Sequence, residues 1–112
     1  MSDYVIVLTT FPSDADVEPF ASRLVDDRLA ACVNILPSMR SIYRWENAVE
    51  RTDERQLIIK TSENCLSALE ALIATLHPYD VPEFLVIHIK GGSTDYLAWL
   101  AEAVKPSSPS SP

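Results

Sequence analysis

Seven consecutive residues, His77-Pro78-Tyr79-Asp80-Val81-Pro82-Glu83, bring together an imidazole, a phenol and two carboxylates. Imidazole and carboxylate ligands together suit first-row divalent cations, and the same pair can exchange a proton as acid and base. His77 with Asp80 and Glu83 is therefore a candidate metal or proton-transfer cluster. A plainer reading stands beside it, in which His77 caps a helix and Glu83 forms a salt bridge. The two prolines make the segment a rigid elbow, because each fixes its own φ and pushes the residue before it, His77 or Val81, toward extended backbone. Loops held stiffly between regular elements often carry function.

Other side chains able to do chemistry are few. Cys32 lies in an apolar strand pattern beside Ala30 and Ala31, either as a small buried hydrophobe or as a metal or redox thiol. Cys65 falls near a helix start, where its thiol pKa could be lowered, although a plain helix residue is the simpler reading. His88 alternates with Val86 and Lys90 and reads as a structural histidine. Lys60 follows Ile59 in a buried strand and suits either an anion or a buried ion pair. Tyr43 and Trp45 are core or interface anchors. With only two glycines, and those adjacent, the chain has no phosphate-cradling loop, and no nucleophile-elbow, zinc-protease or calcium-loop pattern is present.

The elements that must position these groups follow from periodicity. Residues 4–10 read as a strand in which Val5, Ile6, Val7 and Leu8 form an unbroken apolar run. After Phe11-Pro12, Ser13 is the expected N-cap of a helix whose apolar face runs Val17, Phe20, Ala21, Leu24, Val25 and Leu29, with Pro19 tolerable only near the first turn. Cys32–Leu36 begins a strand that Pro37 bends or bulges, and Ile42–Trp45 resumes it. Glu46-Asn47-Ala48 is a turn with Asn47 at positive φ, and Val49–Thr61 returns. The resulting hairpin is long, its tip is more charged than its base, and it is expected to project beyond the core. Ser62 or Asn64 caps a second helix, with Leu66, Leu69, Leu72, Ile73 and Leu76 facing inward, and the elbow ends it. Phe84–Ile89 is the fourth strand. Ser93 caps a third helix with Tyr96, Leu97, Trp99, Leu100 and Val104. The order predicts an α+β ferredoxin-like split βαβ sandwich with a long β-hairpin and an extra C-terminal helix. One sheet face then lacks cover, although the fourth strand and the hairpin are apolar on both faces, which predicts an oligomer.

The chain has 112 residues and reads as one domain over 1–105 with a disordered Pro/Ser tail at 106–112. Its net charge of −7 argues against nucleic acid, whose phosphates select basic surfaces. No run of about 18 apolar residues indicates a membrane span. No secretory leader is visible, and two cysteines make no disulfide framework, so a reducing, cytoplasmic setting is the expectation.

Five ordered segments carry a resemblance: Leu29–Ile35, Ser41–Glu46, Ile58–Thr61, His77–Glu83 and Asp95–Leu100. On these, spanning residue 4 to about 104, the chain resembles the CutA family of divalent-cation tolerance proteins. The resemblance implies a ferredoxin-like subunit akin to the PII signalling proteins, assembled as a homotrimer in which hairpin strands extend a neighbour's sheet. It also implies binding of copper or other divalent cations. The family's metal-binding assignment uses a cysteine at the end of the first strand and two consecutive histidines before Pro-Tyr. Here Thr9 takes the cysteine's place and Leu76-His77 the histidine pair's, and Asn47 stands where the family has glycine. The metal candidates are thus His77, Glu83, Asp80 and Cys32. The alternative is a PII-like regulatory or scaffold trimer whose inter-subunit cleft, lined by Tyr43, Trp45, Lys60 and Tyr79, takes a small anion or a partner segment. A third reading, an acid/base enzyme using His77 and Glu83, rests on fold analogy alone.

Overall fold

The computed structural model describes residues 3–106, and all but the first residue of the expected Pro/Ser tail lies outside them. The elements are β1 (Tyr4–Pro12), α1 (Glu18–Asp26), β2 (Cys32–Trp45), β3 (Ala48–Ser62), a 3₁₀ turn (Glu63–Cys65), α2 (Leu66–Leu76), β4 (Leu85–His88) and α3 (Thr94–Ala103). The strands form one antiparallel sheet in the order β2-β3-β1-β4, as a split βαβ plan requires.

Directly opposed residues of an antiparallel pair share a face. Val5, Val7 and Thr9 therefore lie with Thr61, Ile59 and Leu57, and all six are completely buried. Phe20 and Leu24 of α1 and Leu69 and Ile73 of α2 close over this face with Val33 and Ile35 of β2. Burying side chains of this size contributes about 1.5–3 kcal/mol each, so this layer holds the fold together. The opposite face carries Ile6, Leu8 and Thr10 against Lys60, Ile58 and Gln56. Leu85 and Ile87 of β4 extend it and remain 54% and 48% exposed. At its Tyr4 end, Leu100 of α3 and Val104, just past its end, pack with Ala31, Cys65 and Tyr4.

Strand lengths decide the shape. β3 has 15 residues and β1 has 9, so beyond Glu54↔Pro12 the β2–β3 hairpin loses its third strand. The six residues from Glu54 back to Ala48 carry the arm roughly 20 Å further. The register slips between Ile35 and Ser38, at the Leu36-Pro37 bulge expected from the sequence. At the tip Trp45 pairs with Ala48 across a two-residue turn, and Glu46 (φ 48°) and Asn47 (φ 68°) both take left-handed backbone. That matches a type I′ turn, whose twist suits a hairpin.

Several helix boundaries differ from expectation. Ser13 does not cap α1; Val17 occupies the N-cap without a side-chain bond, and Pro19 lies in the first turn where its missing N–H costs nothing. Ser13 instead bonds Ser38 Oγ at 2.6 Å, tying the loop to β2. α1 ends at Asp26 because Arg28 turns to φ 59°, so Leu29 follows the helix rather than completing it. Neither Ser62 nor Asn64 caps α2: the 3₁₀ turn intervenes and Cys65 is the N-cap residue. β4 is two residues shorter than expected, since Phe84 turns in against the core. Ser93 does cap α3, accepting from Tyr96 N–H at 3.2 Å.

Thr9 Oγ1 is buried in the helix-covered layer and has no hydrogen-bond partner among the described residues. A stranded hydroxyl costs about 1–3 kcal/mol. Thr9→Val keeps the shape and removes the hydroxyl, so it should raise stability by about 1 kcal/mol; an unchanged or lower urea midpoint would contradict this account of the site.

Candidate functional site

The elbow leaves α2 at His77, which ends the helix in extended backbone (φ −76°, ψ 139°) ahead of Pro78. β4 pairs with β1 only as far as Leu8, so Thr9–Pro12 have a neighbouring strand on the β3 side alone. The elbow comes against this length of β1. His77 is 8% exposed, and its ring lies 4.1 Å from that of Phe11, which in turn lies 4.9 Å from Phe20. Its Nε2 is 2.6 Å from the Thr10 carbonyl, and its Nδ1 is 3.1 Å from the Tyr79 N–H. A carbonyl only accepts and an amide N–H only donates. Nε2 therefore carries the proton and Nδ1 presents its lone pair to Tyr79. Burial holds His77 below its ordinary pKa, opposed by the Thr10 hydrogen bond and the nearby negative charge of Glu54.

Tyr79 reaches across to β3. Its hydroxyl donates to Glu54 Oε2 at 2.7 Å, and Glu54 is buried. Burial and then this carboxylate raise the Tyr79 pKa well above its usual value, so the phenol stays protonated and the donor persists. Two residues along β3, Gln56 Nε2 donates to the Thr9 carbonyl at 2.7 Å and to Glu83 Oε2 at 3.0 Å. The elbow is thus fixed to β1 and β3 by His77, Tyr79 and Glu83, each through a named polar contact.

Between the elbow and the hairpin arm lies an open groove of about 780 Å³. Met39, Ser41, Tyr43 and Trp45 of β2 form one wall, Glu54 and Gln56 of β3 the floor, and residues 78–83 the other wall. Tyr43, Trp45 and Val81 are exposed at 40%, 44% and 67%. Glu54, Asp80 and Glu83 give it three carboxylates, and among the described residues no lysine or arginine lines it.

The structure brings Tyr43, Trp45, Tyr79, Asp80 and Glu83 of the anticipated site residues to this groove. Three others do not line it. Lys60 does not line the groove; it is opposite Ile6 and Cys32, toward the far end of the sheet, where its Nζ lies 3.4 Å from the Tyr96 hydroxyl. Cys32 shares that level, four residues along β1 from Thr10 and so roughly 13 Å away, too far to join the elbow as a ligand. His77 is present but both ring nitrogens are engaged. Among the described residues no three His, Cys, Asp or Glu side chains are gathered as a metal site. Glu83 accepts from Gln56 rather than a basic partner, and His88 is exposed, 3.8 Å from Glu63. Sequence reasoning missed Glu54 and Gln56. Their signal was present, since they alternate with Leu57 and Ile59 and so face away from the core, but nothing local placed the elbow over them.

Two outcomes follow from this geometry. Tyr79→Phe leaves the buried Glu54 carboxylate without its donor and should lower unfolding free energy by about 1–3 kcal/mol in urea titrations. The depressed His77 pKa adds a pH dependence. Above about pH 6.5 the ring is neutral in both folded and unfolded chains; below it the unfolded chain takes up a proton that the folded one resists, so stability falls as pH drops toward the folded pKa. Urea midpoints at pH 7.5, 6.0 and 5.0 should show this loss, with a shallower slope in His77→Gln.

Residues 5–103 match the family model described as CutA1 divalent ion tolerance protein. The "Divalent-cation tolerance protein CutA" of Pectobacterium atrosepticum is 42% identical over 105 residues, covering 94% of this chain and 96% of that protein. Among solved structures, CutA1 from Oryza sativa superimposes with a TM-score of 0.88 at 40% identity, over 95% of this chain and 97% of that one. The divalent cation tolerance protein of Thermus thermophilus gives 0.85 at 42% identity, over 89% and 97%.

Proposed function

Because the chain belongs to the CutA1 divalent ion tolerance family, we propose that it acts as a homotrimer binding copper or other divalent cations weakly in a cleft between subunits. One observation carries the reading: Glu54, Asp80 and Glu83 line a single open groove that has no lysine or arginine in its walls among the described residues. Glu54 is committed to Tyr79, so Asp80 and Glu83 are the residues that would hold an ion. An ion bound there contributes positive charge against these carboxylates. The chain's own groups orient the site, since Gln56 holds Glu83 and the prolines hold the elbow. A thiolate–imidazole site does not fit this chain. Thr9 carries no thiol, and His77 ligates only by giving up Thr10 or Tyr79.

Two carboxylates leave most of a coordination sphere to water or to a neighbouring subunit, which accounts for weak affinity. Support for assembly comes from Leu85, Ile87, Ile42 and Val49, all about half exposed or more; apolar surface of this extent marks an interface. Lys60, the anion-binding residue of the regulatory alternative, lies beside Tyr96 and away from the groove, which favours the carboxylate reading. No catalytic step is part of the proposal, and Cys32 and Cys65, both unpaired thiols, suit a reducing compartment.

Light scattering coupled to gel filtration should return the mass of three chains. Calorimetric titration with copper(II) should show weak binding that Asp80→Asn/Glu83→Gln abolishes and His77→Gln leaves within about twofold. Binding that survives the carboxylate changes and disappears with His77 would overturn the donor assignment.

A further inference from the structure

The two walls of the groove differ in chemistry. On the hairpin side Tyr43 and Trp45 face it, 40% and 44% exposed, and neither stacks on another ring among the described residues. On the elbow side stand the carboxylates Asp80 and Glu83. A further carboxylate carries the acidic surface out along the arm. Glu50 is opposite Tyr43 and Glu54 is opposite Met39, so both lie on the groove side of β3. Four residues apart on one strand, they are roughly 13 Å from each other. Negative charge is thus strung along the groove, beside a pair of open aromatic faces.

A divalent metal ion asks for several oxygens within about 2.6 Å of one point. Among the described residues no three His, Cys, Asp or Glu side chains are gathered that closely. A cation whose charge is spread along an apolar chain suits the arrangement better. Each ammonium group can then meet its own carboxylate, and the methylenes between them can lie against the rings. Ammonium groups over the face of Trp or Tyr gain a further attraction.

We propose that the groove binds a linear alkyl polyamine, running from Asp80 and Glu83 at the elbow toward Glu50 on the arm, with its methylene chain against Tyr43 and Trp45. Glu54, engaged by Tyr79, adds negative potential at the floor. Only the groove's preference for positive charge is shared with the metal site proposed above, and no metal is required. The size fits a small molecule, since about 780 Å³ lies within the range of roughly 300–1,000 Å³ usual for such sites. A basic peptide fits less well. The floor is the face of β3, an inner strand flanked by β1 and β2, which offers an extended chain no open edge to pair with.

Calorimetric titration of the metal-free protein with spermine tests this. Tyr43→Leu/Trp45→Leu keeps every charge and should weaken spermine binding at least about fivefold. Asp80→Asn/Glu83→Gln should weaken it at least about tenfold. Glu102→Gln removes an exposed acid on α3, away from the groove, and should leave the affinity unchanged. In a Trp99→Phe background Trp45 is the only tryptophan, and spermine should change its emission with the midpoint that calorimetry gives. Circular dichroism checks the fold of each variant, and the Trp45 emission decides the case if the aromatic variant does not fold. Spermine affinity that is unchanged in the aromatic variant, or that falls as far in Glu102→Gln as in the groove variants, would reflect net charge alone and overturn the proposal. Undetectable spermine binding would overturn it as well. Copper binding in that same preparation would leave the metal site standing without it, and spermine binding with no copper binding would do the reverse.

Discussion

Everything at the candidate site depends on one imidazole with both nitrogens spoken for. β1 outruns β4 after Leu8, which exposes carbonyl groups that no strand can satisfy. His77 gives one of them, Thr10, a donor, and with its other nitrogen it accepts the Tyr79 N–H two residues along. An unmade hydrogen bond at a buried carbonyl costs about as much as a whole helix cap, so the ring is held firmly. Its place between Phe11 and Tyr79 fixes the plane. From that ring the chain has little freedom: Pro78 sets the next φ, Tyr79 arrives at Glu54, and Glu83 arrives at Gln56. A metal ligand and a structural bridge are different uses of the same two ring nitrogens, and in this chain the bridge takes both.

The second constraint is the mismatch in strand length. A four-stranded sheet with two helices on one side buries one face well and leaves the other to something else. β3 runs past the end of β1, so the β2–β3 arm has no third strand to rest on, and its side chains are exposed on both faces. A free two-stranded ribbon is marginal in water. The type I′ turn at Glu46-Asn47 and the Arg40–Asp53 pair give it some local support. The aromatic and apolar residues along it are better explained by contact with another surface than by the arm alone.

Much of this was legible residue by residue. The apolar runs Val5–Leu8 and Leu57–Ile59 marked buried strands, Pro37 marked a bulge, and Glu46-Asn47 marked a turn, because each depends on interactions within a few residues. Side-chain caps were read less well. Ser13 and Ser62 have the right chemistry for N-caps, yet Pro19 and the 3₁₀ turn moved both helix starts beyond their reach. The site was half legible. Tyr43, Trp45, Tyr79, Asp80 and Glu83 do share a groove, whereas Lys60 and Cys32 stand at another level of the sheet, a matter of register between strands far apart in sequence.

The sequence by itself determined the element order, the split βαβ plan, the stiffness of the elbow and the family, since these follow from periodicity, proline geometry and ordered motifs. Only the tertiary structure decided what the elbow's groups do. The Thr10 carbonyl lies 67 residues before His77, and Glu54 lies 25 before Tyr79. No local pattern records such distances, and the protonation and the availability of His77 are set by those remote partners.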